Sequence, residues 1–396
     1  MSDLAIHGGR PIRETLLPYG HQSIDEEDIQ AVVKILRSDW ITTGPTVGEF
    51  EEAFACYVGA RHAVSYSSGT AALHGTAFAA GLEPATEAIT TPLTFCATAN
   101  CVVYQGATPV FADICTDTLN IDPLEIKRRI TSNTRAILPV DYAGHPADLD
   151  SILDLADRHG LVVIEDASHA LGAEYKGRRV GSISHMTVFS FHPVKHVTTG
   201  EGGIVTTNRA ELAARLRLFR NHGIDSDARA RQTAGQWYYE MVALGYNYRL
   251  TDIASALGLA QLRKLDANLT HRRQIARLYE AAFSEMRGVI PPLERSEVSS
   301  AWHLYPIRLD LPALRFTRAE VFAALRAENI GVNVHYIPVH QHPYYRERFG
   351  YKGGEYPLAE AAYDSLISLP MFHGMSAGDA QDVIHAVEKV IAHSRR

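Results

Sequence analysis

Cysteine is scarce in this chain, long apolar runs are missing, and no block of basic residues interrupts the charge pattern. The four cysteines, Cys56, Cys96, Cys101 and Cys115, form no C-x-x-C pair and are too sparse for a disulfide framework in 396 residues. They are expected to be reduced, buried, small apolar residues. No stretch approaches the ~18 uninterrupted apolar residues of a membrane span, and Met1–Arg10 contains no basic leader followed by an apolar run. The expected location is therefore cytoplasmic. A formal charge of −7 without clustered Lys and Arg argues against nucleic acid as the main partner, while leaving room for a local cationic pocket that takes a small anion. Internal repeats and low-complexity tracts are also missing.

What is present is an ordinary globular composition, 46% hydrophobic and 21% charged, enough for a large domain and a smaller one. From about residue 60 to 210, short β-rich apolar runs alternate with helical patterns, which predicts an α/β fold with one mainly parallel sheet covered by helices. Seven strands are expected, at Ala63 to Ser65, Glu87 to Thr91, Pro109 to Asp113, Thr134 to Val140, Leu161 to Asp166, Met186 to Phe191 and Gly203 to Thr207. Helical spacing falls at Thr70 to Ala80, Thr94 to Gln105 and Ser151 to His159, the last capped by Asp148 or Asp150. Further helices are expected at Leu212 to Leu218 and from Asp252 to Leu262, the second running on through Lys264 to Glu285 as a link between domains. Beyond it, Ala301 to Leu309, a helix at Thr317 to Glu328, a strand-like Gly331 to Tyr336 and a helix at Ser376 to His393 suggest a smaller α+β unit. The reading divides the chain into a large domain, 1–262, and a linking helix with a small domain, 263–396. Gln341 to Pro357, rich in Gly, Pro, Tyr and charge, reads as an ordered loop.

Three features fall at strand ends, where sheets of this kind bind ligands. Ser67-Ser68-Gly69-Thr70 follows a strand and opens a helix, so it offers N–H groups, a dipole and hydroxyls to a phosphate; it also serves as a plain helix cap. Asp166 closes a buried-strand run and can hold a pyridinium proton, or be a solvated strand-end acid. Lys195 lies between an apolar run and Gly200-Glu201-Gly202-Gly203, where a desolvated amine can form a Schiff base with an aldehyde cofactor, or where an ordinary loop lysine can sit.

With five collinear motifs the chain resembles the DegT/DnrJ family of sugar aminotransferases, among the fold type I pyridoxal phosphate (PLP) enzymes. The motifs are S-x-G-T-A-A-L at Ser67 to Leu73, P-x-T-F-x-A-T-x-N at Pro92 to Asn100, E-D-A-S-H-A at Glu165 to Ala170, F-S-F-H-x-x-K-x-x-T-T-G-E-G-G at Phe189 to Gly203, and G-Y-N-Y-R-x-T-D-I at Gly245 to Ile253. The resemblance implies that Lys195 carries the Schiff base and Asp166 pairs with the pyridine nitrogen. It also implies that Ser68, Gly69, Thr70 and Ser190 hold the phosphate, with Asn247 entering from the second subunit of a homodimer. Phe95 would stack on the ring and His169 would face its phenolic oxygen. Some family members are dehydratases with histidine at the lysine position; here the register places Lys195 there rather than His196, which favours transamination.

The stretch Val334 to Tyr351, with Ser368-Leu369-Pro370, Pro18-Tyr19-Gly20, Ile24 to Ile29 and Ser38 to Pro45, resembles the pseudaminic acid branch of the family. That implies L-glutamate as donor, pyridoxamine phosphate as the aminated cofactor and a UDP-linked 4-keto-6-deoxy-N-acetylamino sugar as acceptor. Other nucleotide sugars, such as dTDP- or GDP-linked ones or legionaminic and bacillosamine precursors, are the alternative, and a non-catalytic PLP-binding regulator is a third. Trp40, Thr42, Arg249, His335, Tyr336 and His340 are the candidate substrate contacts. No metal is expected, because His335, His340 and His342 have no acidic or cysteine partner at ligand spacing.

Overall fold

The computed structural model describes residues 3–226, 231 and 234–395. Its centre is a seven-stranded sheet built from β1 (His62–Tyr66), β2 (Glu87–Thr90), β3 (Thr108–Phe111), β4 (Thr134–Leu138), β5 (Val162–Asp166), β6 (Met186–Ser190) and β7 (Gly203–Thr207). The order across the sheet is β1-β7-β6-β5-β4-β2-β3. Neighbours from β6 to β3 run parallel, and only β7 is antiparallel to both its neighbours, β6 and β1. All seven expected strands are present, because Val, Ile and Ala runs buried on both faces have no other low-energy place in a helix-covered sheet. The helices Gly69–Ala79, Ala97–Tyr104 and Leu149–His159 supply that cover, and Asp148 caps the third by accepting from Ser151 N.

A second sheet of three strands, β8 (Val289–Ile290), β9 (Tyr305–Leu309) and β10 (Leu366–Leu369), packs with the helices Arg318–Ala327 and Ala377–Ser394 to make the smaller unit. The N-terminal stretch, expected within the large domain, joins this unit instead. Leu4 and Leu17 are buried in its core, Ala5 N and Ile12 N donate to the Glu328 carboxylate at 2.9 and 3.0 Å, and Leu17 bridges Ile330.

Other details depart from the sequence reading. The long linking helix is two helices, Asp252–Arg263 and Leu265–Phe283, broken at Lys264, whose amine pairs with Asp25 at 2.7 Å and with the buried Asp28 at 2.6 Å. Gly331 to Tyr336 forms no strand, only a bridge from Asn333 to Ser368, since its backbone and side chains bond to Leu17, Ser368 and Asn333 itself. Gln341 to Pro357 contains the helix Pro343–Phe349, and its tyrosines pack around Phe111. All four cysteines are free, but only Cys101 is buried; Cys56 is exposed on the helix Pro45–Val58, which turns Phe50, Phe54 and Val58 inward in its place. No helix among the described residues is long and apolar enough to cross a membrane.

Candidate active site

The carboxyl ends of β1, β5 and β6 open into one cavity of about 480 Å³, within the size range of small-molecule sites. Its floor and walls come from segments far apart in sequence, so each functional group is set by a different element.

At one end Ser68 caps the helix Gly69–Ala79, its Oγ accepting from Ala71 N at 3.1 Å. The first N–H groups of a helix have no intrahelical carbonyl, and the dipole adds positive potential there. Ser190, closing β6, stands against this end. A Cβ on Gly69 would lie 2.9 Å from Ser190 Cβ, and one on Gly203 would lie 2.6 Å from the Ser68 carbonyl oxygen. Glycine at both positions therefore lets strand and helix approach closely enough to form a small polar cradle of Ser68, Gly69, Thr70 and Ser190. Its dimensions and donor-only backbone suit a phosphate group.

Asp166 closes β5 and is buried. Its Oδ2 accepts from Thr98 Oγ1 at 2.7 Å and its Oδ1 from Ser168 N at 3.1 Å. An ionised carboxylate has about four acceptor sites, so these two bonds orient it and leave capacity for a further donor in the cavity. Behind it lies a second acidic pair, Asp141 and Glu165, both fully buried. Asp141 Oδ1 accepts from Ala147 N and Glu165 Oε2 from Thr187 Oγ1, each at 2.9 Å. Burial, and for Asp141 also the Glu165 charge, holds both carboxyls above their ordinary range, Asp141 the more strongly. Both shifts favour the neutral carboxyl over a buried charge.

Lys195 lies just past β6, with its backbone N–H on His192 O at 2.9 Å. Loss of water pushes its amine down from 10.5 to about 8, against the pull of the negative Asp166. A far larger share of the amine is thus neutral at physiological pH than in an ordinary lysine, as a nucleophile or base requires. Four buried histidines surround it. His303 Nε2 is 3.4 Å from Lys195 Nζ, and His169 Nε2 is 3.0 Å from Tyr336 Oη. His335 Nδ1 is 2.8 Å from Ser368 Oγ, and His196 Nε2 is 2.9 Å from Ala301 O. Burial, with the Lys195 charge contributing, drives all four below the ordinary imidazole value, so the amine stands among neutral rings.

Of the residues singled out from sequence, Ser68, Gly69, Thr70, Phe95, Asp166, His169, Ser190, Lys195, His335 and Tyr336 all line this cavity. Phe95 is 57% exposed on the rim, its ring 5.9 Å from that of Tyr336, so one aromatic face is free to cover a planar ligand. The other five do not line it. Asn247 is exposed and bridges Asn221, and Arg249 donates to Asn221 Oδ1 at 2.8 Å while lining a separate groove with Arg220 and Arg231. Thr42 bridges Thr251, and Trp40 packs under Gly44, where a Cβ would be 2.5 Å from Trp40 Cβ. His340 is no substrate contact: the turn Val339–Gln341 rotates it into the Phe111, Tyr351 and Tyr356 cluster, where its Nε2 meets Glu360 Oε1 at 3.0 Å. The fold also brings Glu355 beside it, so acidic neighbours missing at ligand spacing in the sequence are present in space. Both glutamates already accept backbone N–H groups of residues 352–356.

Among the further residues that line the cavity, Thr98, His303 and Tyr19 receive no role from the sequence. Thr98 lies inside a quoted motif and could have been found from its helical offset, one turn after Thr94. His303 comes from the small unit and carries no local signal, while Tyr19 lies in the quoted Pro18-Tyr19-Gly20, which does not tell what it faces.

The pattern of the DegT/DnrJ/EryC1/StrS aminotransferase family matches residues 22–388. The chain is similar to the spore coat polysaccharide biosynthesis protein SpsC of Bacillus subtilis, 45% identical over 96% of this chain and 98% of that protein. It is 40% identical to the UDP-4-amino-4-deoxy-L-arabinose–oxoglutarate aminotransferase of Shewanella sediminis, over 95% of this chain and 98% of that protein. Among solved structures it resembles Helicobacter pylori PseC, an aminotransferase involved in the biosynthesis of pseudoaminic acid, with a TM-score of 0.88 and 35% identity, covering 96% of this chain and 100% of that one. It also resembles the Streptococcus pneumoniae sugar aminotransferase Spr1654 in its PMP form, with a TM-score of 0.90 and 32% identity over 95% of this chain and 99% of that one; the same protein has been solved in a PLP form.

Proposed function

Since the chain belongs to the DegT/DnrJ/EryC1/StrS aminotransferase family and is a PLP-dependent nucleotide-sugar aminotransferase, we propose that its acceptor is a UDP-linked 4-keto-6-deoxy-N-acetylamino sugar. L-Glutamate donates the amine, the product is UDP-4-amino-4,6-dideoxy-N-acetyl-β-L-altrosamine, and the setting is the cytoplasm. Two similarities support the choice of sugar. The Shewanella relative is named for a UDP-linked 4-amino sugar with oxoglutarate as keto partner, and PseC for pseudoaminic acid. The observation that carries the reading is the convergence of Lys195, Asp166 and the Ser68–Thr70 cradle on one cavity.

Bound PLP supplies an electron-accepting ring and an aldehyde that takes up and passes on an amine. The geometry supports the following part for the protein. Ser68, Gly69, Thr70 and Ser190 would hold the phosphate, and Asp166, oriented by Thr98, would hold the proton on the ring nitrogen. One opposite charge at ~4 Å is worth about 4 kcal/mol at an effective dielectric of 20. Phe95 covers one ring face, and His169, steadied by Tyr336, faces the phenolic oxygen. Lys195 Nζ would hold the cofactor's aldehyde as a nucleophile and, when free, could accept and return a proton as a base.

Asn247 serves a neighbouring copy. Asn247 is exposed and follows a strip of exposed apolar residues, with Trp237 at 83%, Met241 at 65% and Leu244 at 71%. A contiguous apolar strip of that kind marks an interaction surface, in keeping with a homodimer that shares its sites.

The test is incubation with glutamate and a panel of UDP-, dTDP- and GDP-linked keto sugars, with 2-oxoglutarate release and product mass as readouts. Turnover of the UDP-4-keto-6-deoxy-N-acetylamino sugar is expected. Lys195→Ala, folded as judged by circular dichroism, should show none. Turnover only of dTDP- or GDP-sugars would overturn the choice of substrate.

A further inference from the structure

The loop that carries His303 is held harder than packing alone requires. Trp302, a bulky residue, sits in the left-handed region at φ +48°, opposite Ala143 at +59° and Gly144 at +103°. Such backbone persists only where its surroundings over-determine it, and it clusters at functional positions. Here two hydrogen bonds tie the loop to the turn after β4, Ala301 N to Gly144 O at 3.0 Å and Leu304 N to Ala143 O at 3.2 Å. Gly144 is required, because a Cβ there would lie 2.8 Å from Trp302 N and 3.0 Å from His303 N. From the other side the guanidinium of Arg272, 2% exposed, donates to the carbonyls of Trp302, His303 and Met371 at 3.1, 3.3 and 3.0 Å.

All of this fixes one side chain. His303 is buried, and its ring is 4.4 Å from that of His169 and 5.5 Å from that of His196. Its Nε2 meets Lys195 Nζ at 3.4 Å, while its Nδ1 has no partner. We propose that His303 is the positioning residue for Lys195: its neutral Nε2 accepts a hydrogen from the lysine amine and sets where that amine rests whenever it is not joined to the cofactor. The proposal rests on the reading that Lys195 exchanges with the cofactor. The other groups facing the amine are Asp166 from β5, His169 after it, His196 beside it and His335 from the small unit. Only Asp166 among them is an anion, so His303 is the neutral acceptor within hydrogen-bond reach that favours the protonated amine.

The experiment measures the ionisation of Lys195 in cofactor-free protein by competitive isotopic acetylation from about pH 6 to pH 10, read by peptide mass spectrometry. Wild type should show a midpoint near 8. In His303→Leu the ammonium loses a neutral acceptor, and the midpoint should fall by roughly one pH unit. His303→Gln, whose amide can stand near the Nε2 position, should restore it. If His303→Leu does not fold, His303→Asn, too short to reach Nζ, takes its place. An unchanged midpoint in the Leu or Asn variant, or failure of Gln to restore it, would overturn the proposal. Borohydride reduction of wild type loaded with PLP separates the two readings. Absence of a PLP adduct on Lys195 would refute the role of the lysine itself, whatever the His303 variants do.

Discussion

Gly69 offers the sharpest test of how the cavity holds an anion. In Gly69→Ala the new methyl carbon would stand 2.9 Å from Ser190 Cβ, whereas ordinary contact begins at 3.4 Å. Ser190 is anchored in β6 between β5 and β7, and the helix beginning at Gly69 is pinned by the Ser68 cap, so the two must part by at least about 0.5 Å. That is enough to stretch a hydrogen bond of ~2.9 Å to ~3.4 Å, close to where it ceases to count. Bonds to charged groups contribute about 1.5–3 kcal/mol each, so losing one or two should weaken PLP binding by roughly 10- to 100-fold or more. Titrating cofactor-free protein with PLP, and in parallel with pyridoxal, isolates the phosphate: the PLP constant should rise and the pyridoxal constant should barely move. Gly48→Ala is the control, since its Cβ would have nothing within 4 Å and the site lies within the helix Pro45–Val58. There alanine should stabilise by about 0.5–1 kcal/mol without touching affinity. If Gly69→Ala keeps the wild-type ratio of PLP to pyridoxal affinity, the cradle is not where the phosphate sits.

Two further outcomes follow from the acids of the sheet. Asp166→Asn removes the charge that supports the protonated amine of Lys195; its midpoint, read by the same acetylation assay, should drop below about 8, and both half-reactions should slow at least tenfold. A normal rate would mean that another acid serves the ring. The Asp141–Glu165 pair governs stability against pH. Both carboxyls are raised from ordinary values of 3.8 and 4.5, so their contribution is fully present below those values and is lost as pH climbs through the raised ones. Asp141→Asn keeps an oxygen for Ala147 N and a donor for Glu165, but cannot ionise. Urea unfolding should show the variant close to wild type below about pH 4 and progressively more stable than it as pH rises. Identical slopes in the two proteins would exclude a raised Asp141 carboxyl.

What could be read from sequence was local. Lys195, Asp166 and the Ser68–Thr70 turn each announce themselves by following a short apolar run, and the seven strands are legible because their Val and Ile runs are bounded by turns. The rest depends on contacts between distant segments. His303 sits in a stretch, Ala301 to Leu309, that the sequence assigns only to the smaller unit, and the clamp by Arg272 and Gly144 fixes it beside the lysine. The break at Lys264 was invisible because helical spacing continues across it, and the partners that hold it, Asp25 and Asp28, lie more than two hundred residues earlier. His340 shows the same limit, since its neighbours Glu355 and Glu360 reach it only once the Phe111 cluster has folded.

The seating of residues 4–17 on the small unit also bears on the order of assembly. Synthesis proceeds from the N-terminus, yet Ala5 N meets its acceptor 323 residues later, on Glu328. Residues 4–17 thus find their place only after Glu328 has been made, and Leu4 and Leu17 lack their core partners while the seven-stranded sheet forms. Closing so long a loop is entropically slow. Burial of Leu4 and Leu17 therefore reports that the small unit has closed its core.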